Sequence, residues 1–268
     1  MSRVWTWKTS LLKGWPADME NLLRFETRKL FRQKKLYVCC LVICLFVFLS
    51  AAMMNLLMDD LLYDLYGGIS GIDGLVTTIN DGSFILISGI FAVLVITEDY
   101  GSQTIKNIYA RGFSRVKVFS AKTIGIITGV TVMYVTSMLF SFCINTAYFG
   151  AGEVDLPKLM ALLGTQYVVC LANAMLSVLI GILFRKNGLA ITGTILFPGI
   201  ITLLIAIADA ILELEKVLLT EFWVAYLPSD VLQLDVTNGR MMECAIASLV
   251  YIAVFYLLGI GISKKVEL

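Results

Sequence analysis

The fold class predicted by this 268-residue chain is an all-α polytopic membrane protein with six transmembrane helices. Composition points there first: 59% of residues are apolar, 15% are charged and the mean hydropathy is +0.86. A soluble domain carries roughly 45–50% apolar and about 25% charged residues. Six long runs without charge form the second observation. The third is that basic and acidic residues segregate between alternate connections.

The elements follow in order. Residues 1–35 form a basic arm, and three of the four tryptophans (Trp5, Trp7, Trp15) lie near its start, where amphipathic rings suit the headgroup level. After Pro16, DMENLLRFETRKLFRQKK begins a helix, with Asp18 as N-cap and Glu20 in the first turn. Met19, Leu22, Leu23, Leu30 and Phe31 share one face, while Arg24, Arg28, Arg32 and Lys35 share another. That pattern predicts a helix lying in the membrane interface. The arm is too basic, and the run after it too long, for a cleavable signal peptide.

Crossing a hydrocarbon core of about 30 Å takes about 20 helical residues. Leu36–Met58, Thr123–Gly152, Leu159–Phe184, Asn187–Ala208 and Cys244–Ser263 suffice directly. Gly82–Thr97 is short, and becomes adequate if its helix starts near Leu75 and tolerates Asp81 at the interface. The predicted transmembrane domain is 36–263, with an outer loop at 209–243 and a tail at 264–268.

In this six-span arrangement, 18 of the 21 basic residues fall on one side: the arm, the second-to-third connection, Arg185–Lys186, and Lys264–Lys265. The other side holds 14 of the 20 acids, among them Asp59, Asp60, Asp64, Asp73 and Asp81. The positive-inside rule places both termini in the cytoplasm.

Several function classes are excluded by what is missing. The chain has no histidine, which removes Ser–His and Cys–His nucleophiles and histidine-ligated haem and zinc. The six cysteines lie in or beside apolar runs, as small buried hydrophobes do. No span carries a charge near its centre. The polar groups within spans are Asn55, Thr136, Ser137, Ser141, Asn145, Gln166, Asn173, Ser177, Thr192 and Thr194, for which helix–helix hydrogen bonding is the default role. Ion-driven carriers use ionisable groups or broken helices at mid-membrane, usually with an internal repeat, and neither is evident. The energy for any transport must come from elsewhere.

In the outer loop, Ile211, Leu214, Val217, Leu218, Phe222, Trp223 and Tyr226 form a broad apolar stripe ended by Pro228. Such a segment either covers an exit or dips into the outer leaflet, or it is a plain amphipathic surface helix.

The segment TEDYGSQTIKNIYARGFSRVK, residues 97–117, is neither span nor simple loop. Glu98 and Asp99 end the second span, Gly101 breaks the helix and Ser102 caps a short new one. Ile105, Ile108 and Tyr109 form an apolar ridge at i, i+3, i+4. Gly112 suits a left-handed C-cap, and Ser114 caps the next helix. The ridge is too small to anchor a membrane domain but fits a groove on a partner protein.

TEDYGSQTIKNIYARGFSRVKVFSAK resembles the acid–x–x–Gly–(x)–Thr–Ile–Lys…Ser–Arg…Lys stretch of ABC-2 type permeases, especially bacterial peptide-exporter and antibiotic-immunity subunits. It departs at Ser102–Gln103, where many relatives have Gly and Thr closer together. LLRFETRKLFRQKKLYV is similar to the arm preceding their first span, and the span count and long outer loop agree. The resemblance implies an elbow helix, a coupling segment at 98–117, and a dimer with an identical or related permease. It also implies a cytoplasmic ABC ATPase held through Glu98, Gly101, Ile105, Lys106, Ile108 and Tyr109. No Gly-x-x-x-x-Gly-Lys-Ser/Thr motif is present, so ATP and Mg²⁺ would sit on the ATPase and this chain would bind no cofactor and catalyse no reaction. The cargo would be hydrophobic or amphipathic, a peptide or peptide antibiotic being favoured. Ser137, Ser141, Asn145, Asn173 and Thr192 are the candidate pathway residues. An ATP-independent channel or scaffold is the alternative.

Overall fold

A computed structural model describes residues 15–57, 70–79, 82–101, 112–152, 155–212, 219–231 and 236–265. The predicted coupling ridge (Ile105, Lys106, Ile108, Tyr109) lies outside these, as do Asp59, Asp60, Asp64 and Asp81 and, in the outer stripe, Leu214, Val217 and Leu218. The described regular structure is helical. Its helices are α1 (Trp15–Arg32), α2 (Lys34–Leu57), α3 (Gly71–Ile79), α4 (Gly82–Gly101), α5 (Arg115–Phe149) and α6 (Leu156–Phe184). They continue with α7 (Asn187–Ile211), a 3₁₀ turn (Leu219–Phe222), α8 (Leu227–Asp230) and α9 (Asn238–Lys265).

Among the described residues, five helices are long and apolar enough to cross a membrane: α2, α5, α6, α7 and α9. Counted as one span, the bent pair α3 and α4 brings the number to six, with 44° between its halves. This corrects the expectation of one helix running through from near Leu75. The break lies between Ile79 and Gly82, and Asn80, Asp81 and Gly82 are residue types that favour caps and turns over helix interiors. The start of α3 is fastened locally: Ser70 donates from N and Oγ to Asp73 Oδ2, and Asp73 N donates back to Ser70 Oγ. This is a capping box with an aspartate in the third position.

The central pillar is α6, two thirds of whose apolar window (67%) is buried, against 17% for α7 and for α9. It packs on α9 along one side and on α4 along another. The close approach to α4 depends on Gly181, where an added Cβ would lie 2.3 Å from Ile96 Cγ2. The outward faces of α7 and α9, with Leu196, Leu203, Leu249 and Leu257, are exposed, as suits helices bordered by acyl chains.

Contacts between elements collect one set of helix ends. Arg115 at the start of α5 donates to the Lys264 carbonyl near the end of α9, and Lys35 at the start of α2 pairs with Glu98 near the end of α4. Gly181, near the end of α6, rests on Ile96 and Thr97. These are the ends that carry the basic connections, as an alternating six-span path requires.

Two N-terminal expectations change. Helix α1 is described from Trp15 onward, so Asp18 lies within it and does not cap it. Nor do its apolar residues share one environment. Leu22 and Leu30 are buried against α5, whereas Phe25 and Phe31 are exposed. The helix docks on protein along 22–26–30 and offers its phenylalanines elsewhere.

The outer loop also departs from the single amphipathic stripe. Val224, Leu227 and Val231 are among its buried residues, and Ile211 is exposed. Pro228 lies in the first turn of α8, so it opens a short helix where it was expected to end one.

Candidate functional site

Two places gather polar groups that the fold must hold in position. The first is the junction of α1, α2, α4 and α5. Glu26 lies on the buried stripe of α1 and Lys122 two turns into α5, with Lys122 Nζ 3.5 Å from Glu26 Oε1. Stripping water from such groups costs several kcal/mol per ion, so each is tolerable because the other is there. A turn away, Glu98 Oε2 accepts from Gln33 Nε2 at 2.7 Å and lies 3.3 Å from Lys35 Nζ. Gln33 is the single residue between α1 and α2. Lys35 also donates to the Leu94 carbonyl at 3.5 Å. The elbow between α1 and α2 is thus stitched to the last turns of α4.

Just beyond, Gly101 is the last described residue of α4. On the far side, Gly112 has φ 86°, the left-handed conformation expected of it. Ser114 caps α5, its Oγ accepting from Lys117 N at 3.4 Å. Residues 102–111 therefore join two helices that are each pinned to the N-terminal elbow, α4 to Gln33 and Lys35 through Glu98 and α5 to α1 through Lys122.

The second place is a cavity of about 320 Å³ between α4, α6 and α7, closed on one side by the outer loop. Asn173, Ser177, Thr194, Pro198, Pro228 and Ser229 are among its lining residues, and none of the lining residues is charged. The loop hangs from α6 by two amides two turns apart. Gln166 Nε2 donates to Val231 O at 2.7 Å and Asn173 Nδ2 to Val224 O at 3.0 Å. Asp209, at the end of α7, accepts from Leu219 N and Thr220 N, both at 2.9 Å, and from the Thr220 hydroxyl. Arg240 pairs with Glu221 and lies over the Phe222 ring.

Residues 22–209 match the family described as ABC-2 family transporter protein. That span is most of the chain. The chain belongs to the ABC-2 transporter family. No curated protein matches it. As an ABC-2 permease it is a membrane transport subunit, and the family implies association with an ABC ATPase. The match takes in α2 to α6 whole and α7 as far as Asp209, so the permease's outer loop and α9 lie beyond it.

The sequence-predicted positions of the permease separate. Glu98 and Gly101 flank the junction, while Ile105, Lys106, Ile108 and Tyr109 lie outside the described residues. Ser141 donates to Gly74 O at 3.5 Å, and Asn145 Nδ2 donates to Ser141 O at 2.9 Å. An added Cβ on Gly74 would lie 2.4 Å from Asn145 Cγ. These groups join α3 to α5, while Ser137 bonds within its own helix to Tyr134 O. Asn173 lines the cavity; Thr192 is exposed, and Thr194, two positions on, lines the cavity instead. Glu26, Gln33 and Lys122 were not singled out for a role. The spacing 22–26–30 carried the signal for Glu26, since a charge between two leucines on one helical stripe needs a partner.

Proposed function

We propose that this ABC-2 permease is the membrane subunit of an ATP-driven exporter in a bacterial plasma membrane, with both termini in the cytoplasm. Two permease subunits pair, and each holds a cytoplasmic ATPase, which carries ATP and Mg²⁺, through the segment that follows Gly101. Ile105, Lys106, Ile108 and Tyr109 form the contact surface, and Glu98 passes its displacement to the elbow. The cargo is hydrophobic or amphipathic, a peptide or peptide antibiotic above all, and Asn173 belongs to its path.

One observation carries this reading: Glu98 is bound at once to Gln33 and Lys35, three residues before Gly101, the last described residue of α4. A push on residues 102–111 moves the end of α4, and through Glu98 it moves the α1–α2 elbow as well. The uncharged cavity supports an apolar cargo, because a charged one would enter it without a counter-ion.

Affinity purification of the tagged permease from its native membrane is expected to recover an ABC ATPase, and Ile108→Asp is expected to release it and abolish ATP-dependent transport in vesicles. Transport that persists without any ATPase, or an Ile108→Asp variant that transports normally, would sink the coupling role in favour of a channel or scaffold.

A further inference from the structure

The polar side chains that line the cavity between α4, α6 and α7 have a one-sided hydrogen-bonding character. The Asn173 amide orientation is decided by its surroundings: Nδ2 donates to two carbonyls, Val169 O at 3.1 Å and Val224 O at 3.0 Å. A flipped amide would set oxygen against both. Oδ1 therefore remains an acceptor with both lone pairs to offer, and among the described residues nothing donates to it.

The hydroxyls repeat the pattern. Ser177 donates to Asn173 O, Thr194 to Ala190 O and Ser229 to Tyr226 O. Each spends its one proton on the backbone and keeps only lone pairs. Pro198, also in the lining, has no N–H to give the Thr194 carbonyl four residues earlier. The side-chain donors of the lining are spent, while acceptors remain.

From this we infer that the cavity is a binding site for uncharged apolar segments that bring their own hydrogen-bond donors, of which the N–H groups of a hydrophobic peptide backbone are the matching class. The remaining lining, with Ile85, Leu86, Leu176 and Ile195, takes apolar side chains. About 320 Å³ is at the low end for ligand sites, so the cavity holds part of a peptide and not all of it. Asn173 couples occupancy to the roof, because the amide that offers Oδ1 to the ligand also suspends Val224 of the outer loop. This deepens the proposed function by naming what the site takes, and it rests on that reading for the cargo's passage.

The test compares a fluorescent hydrophobic peptide with its backbone N-methylated analogue, which keeps the side chains and loses the donors, on the purified full-length permease in lipid nanodiscs. The parent peptide is expected to bind roughly tenfold tighter, the ratio that about 1.4 kcal/mol produces. Ser177→Ala with Thr194→Val, and separately Pro198→Ala, which restores an N–H to the Thr194 carbonyl, are each expected to shrink that ratio severalfold. Thr194→Ser, which keeps the acceptor, is expected to retain it, and the unfolding midpoint of each variant verifies folding. Equal affinity for the two peptides, no binding of either, or a ratio unchanged in the Ser177→Ala, Thr194→Val double variant overturns the inference. A lipid acyl chain filling the site, lacking donors, would give that absence of preference. Discrimination that survives in Ile108→Asp after coupling is lost keeps this site apart from the proposed function. Lost discrimination with intact coupling does the reverse.

Discussion

Lys122 and Glu26 face each other across the α1–α5 contact with only 2% and 6% of their side chains exposed. Neither charge is stable there alone, so Glu26→Ala is expected to lower stability by roughly 3–5 kcal/mol. Removing both charges with Glu26→Leu and Lys122→Met is expected to recover most of that loss. Thermal unfolding of the single and double variants in one detergent checks this; a double variant no better than Glu26→Ala would show that pairing is not what matters.

Glu98 calls for the opposite balance. Its side chain and that of Lys35 are each about one third exposed, 33% and 32%, so solvent screens the pair. Glu98→Ala is therefore expected to cost no more than about 1 kcal/mol of stability. Its expected effect is on coupling: ATP-dependent transport in vesicles falls severalfold while the unfolding midpoint moves little. A large midpoint shift with transport preserved per folded molecule would refute the transmitting role.

Three glycines separate packing from propensity. An added Cβ would lie 2.3 Å from Ile96 Cγ2 at Gly181 and 2.5 Å from the Phe91 ring at Gly129, whereas Gly164 has nothing within 4 Å. Alanine at Gly181 or Gly129 is expected to destabilise the bundle. Alanine at Gly164 is expected to be neutral, or stabilising by up to about 1 kcal/mol, since helical glycine is entropically costly. The three unfolding midpoints, compared directly, decide.

The outer loop depends on Asp209, which holds Leu219 N, Thr220 N and the Thr220 hydroxyl. Asp209→Ala is expected to free the loop without unfolding the bundle. With native cysteines replaced, Val224→Cys is expected to resist a membrane-impermeant maleimide and to become reactive when Asp209→Ala is added. Equal labelling rates would mean that Asp209 does not hold the loop.

The proposed topology has its own check. In a cysteine-free background, Asp64→Cys and Arg111→Cys are expected to label from opposite sides of the membrane, Arg111→Cys from the cytoplasm. Same-side labelling would break the six-span path.

Much of this architecture was legible because it depends on local composition. A run such as Leu159–Phe184 has no alternative to burial in lipid or protein, and the observed α6 starts only three residues earlier. Ser114 was recognisable as a cap, and Gly112 as a left-handed position, for reasons internal to a few residues. The site was less legible. A periodic stripe in α1 looked membrane-facing, yet Leu22 and Leu30 face α5 and Phe31 does not, because apolar periodicity is equally satisfied by lipid and by a neighbouring helix.

The sequence by itself determined the class of this protein: the number of apolar runs, the side on which charge collects, the lack of any histidine, and the punctuation around residues 97–117. These follow from transfer free energies and backbone preferences that each residue carries wherever it sits. Only the tertiary structure decided that Lys122 has Glu26, that Glu98 holds the elbow, and that Asn173, Ser177 and Thr194 meet around one cavity. Partners from distant segments are selected by how whole helices pack, and a buried polar group has no assigned role until its neighbour is known.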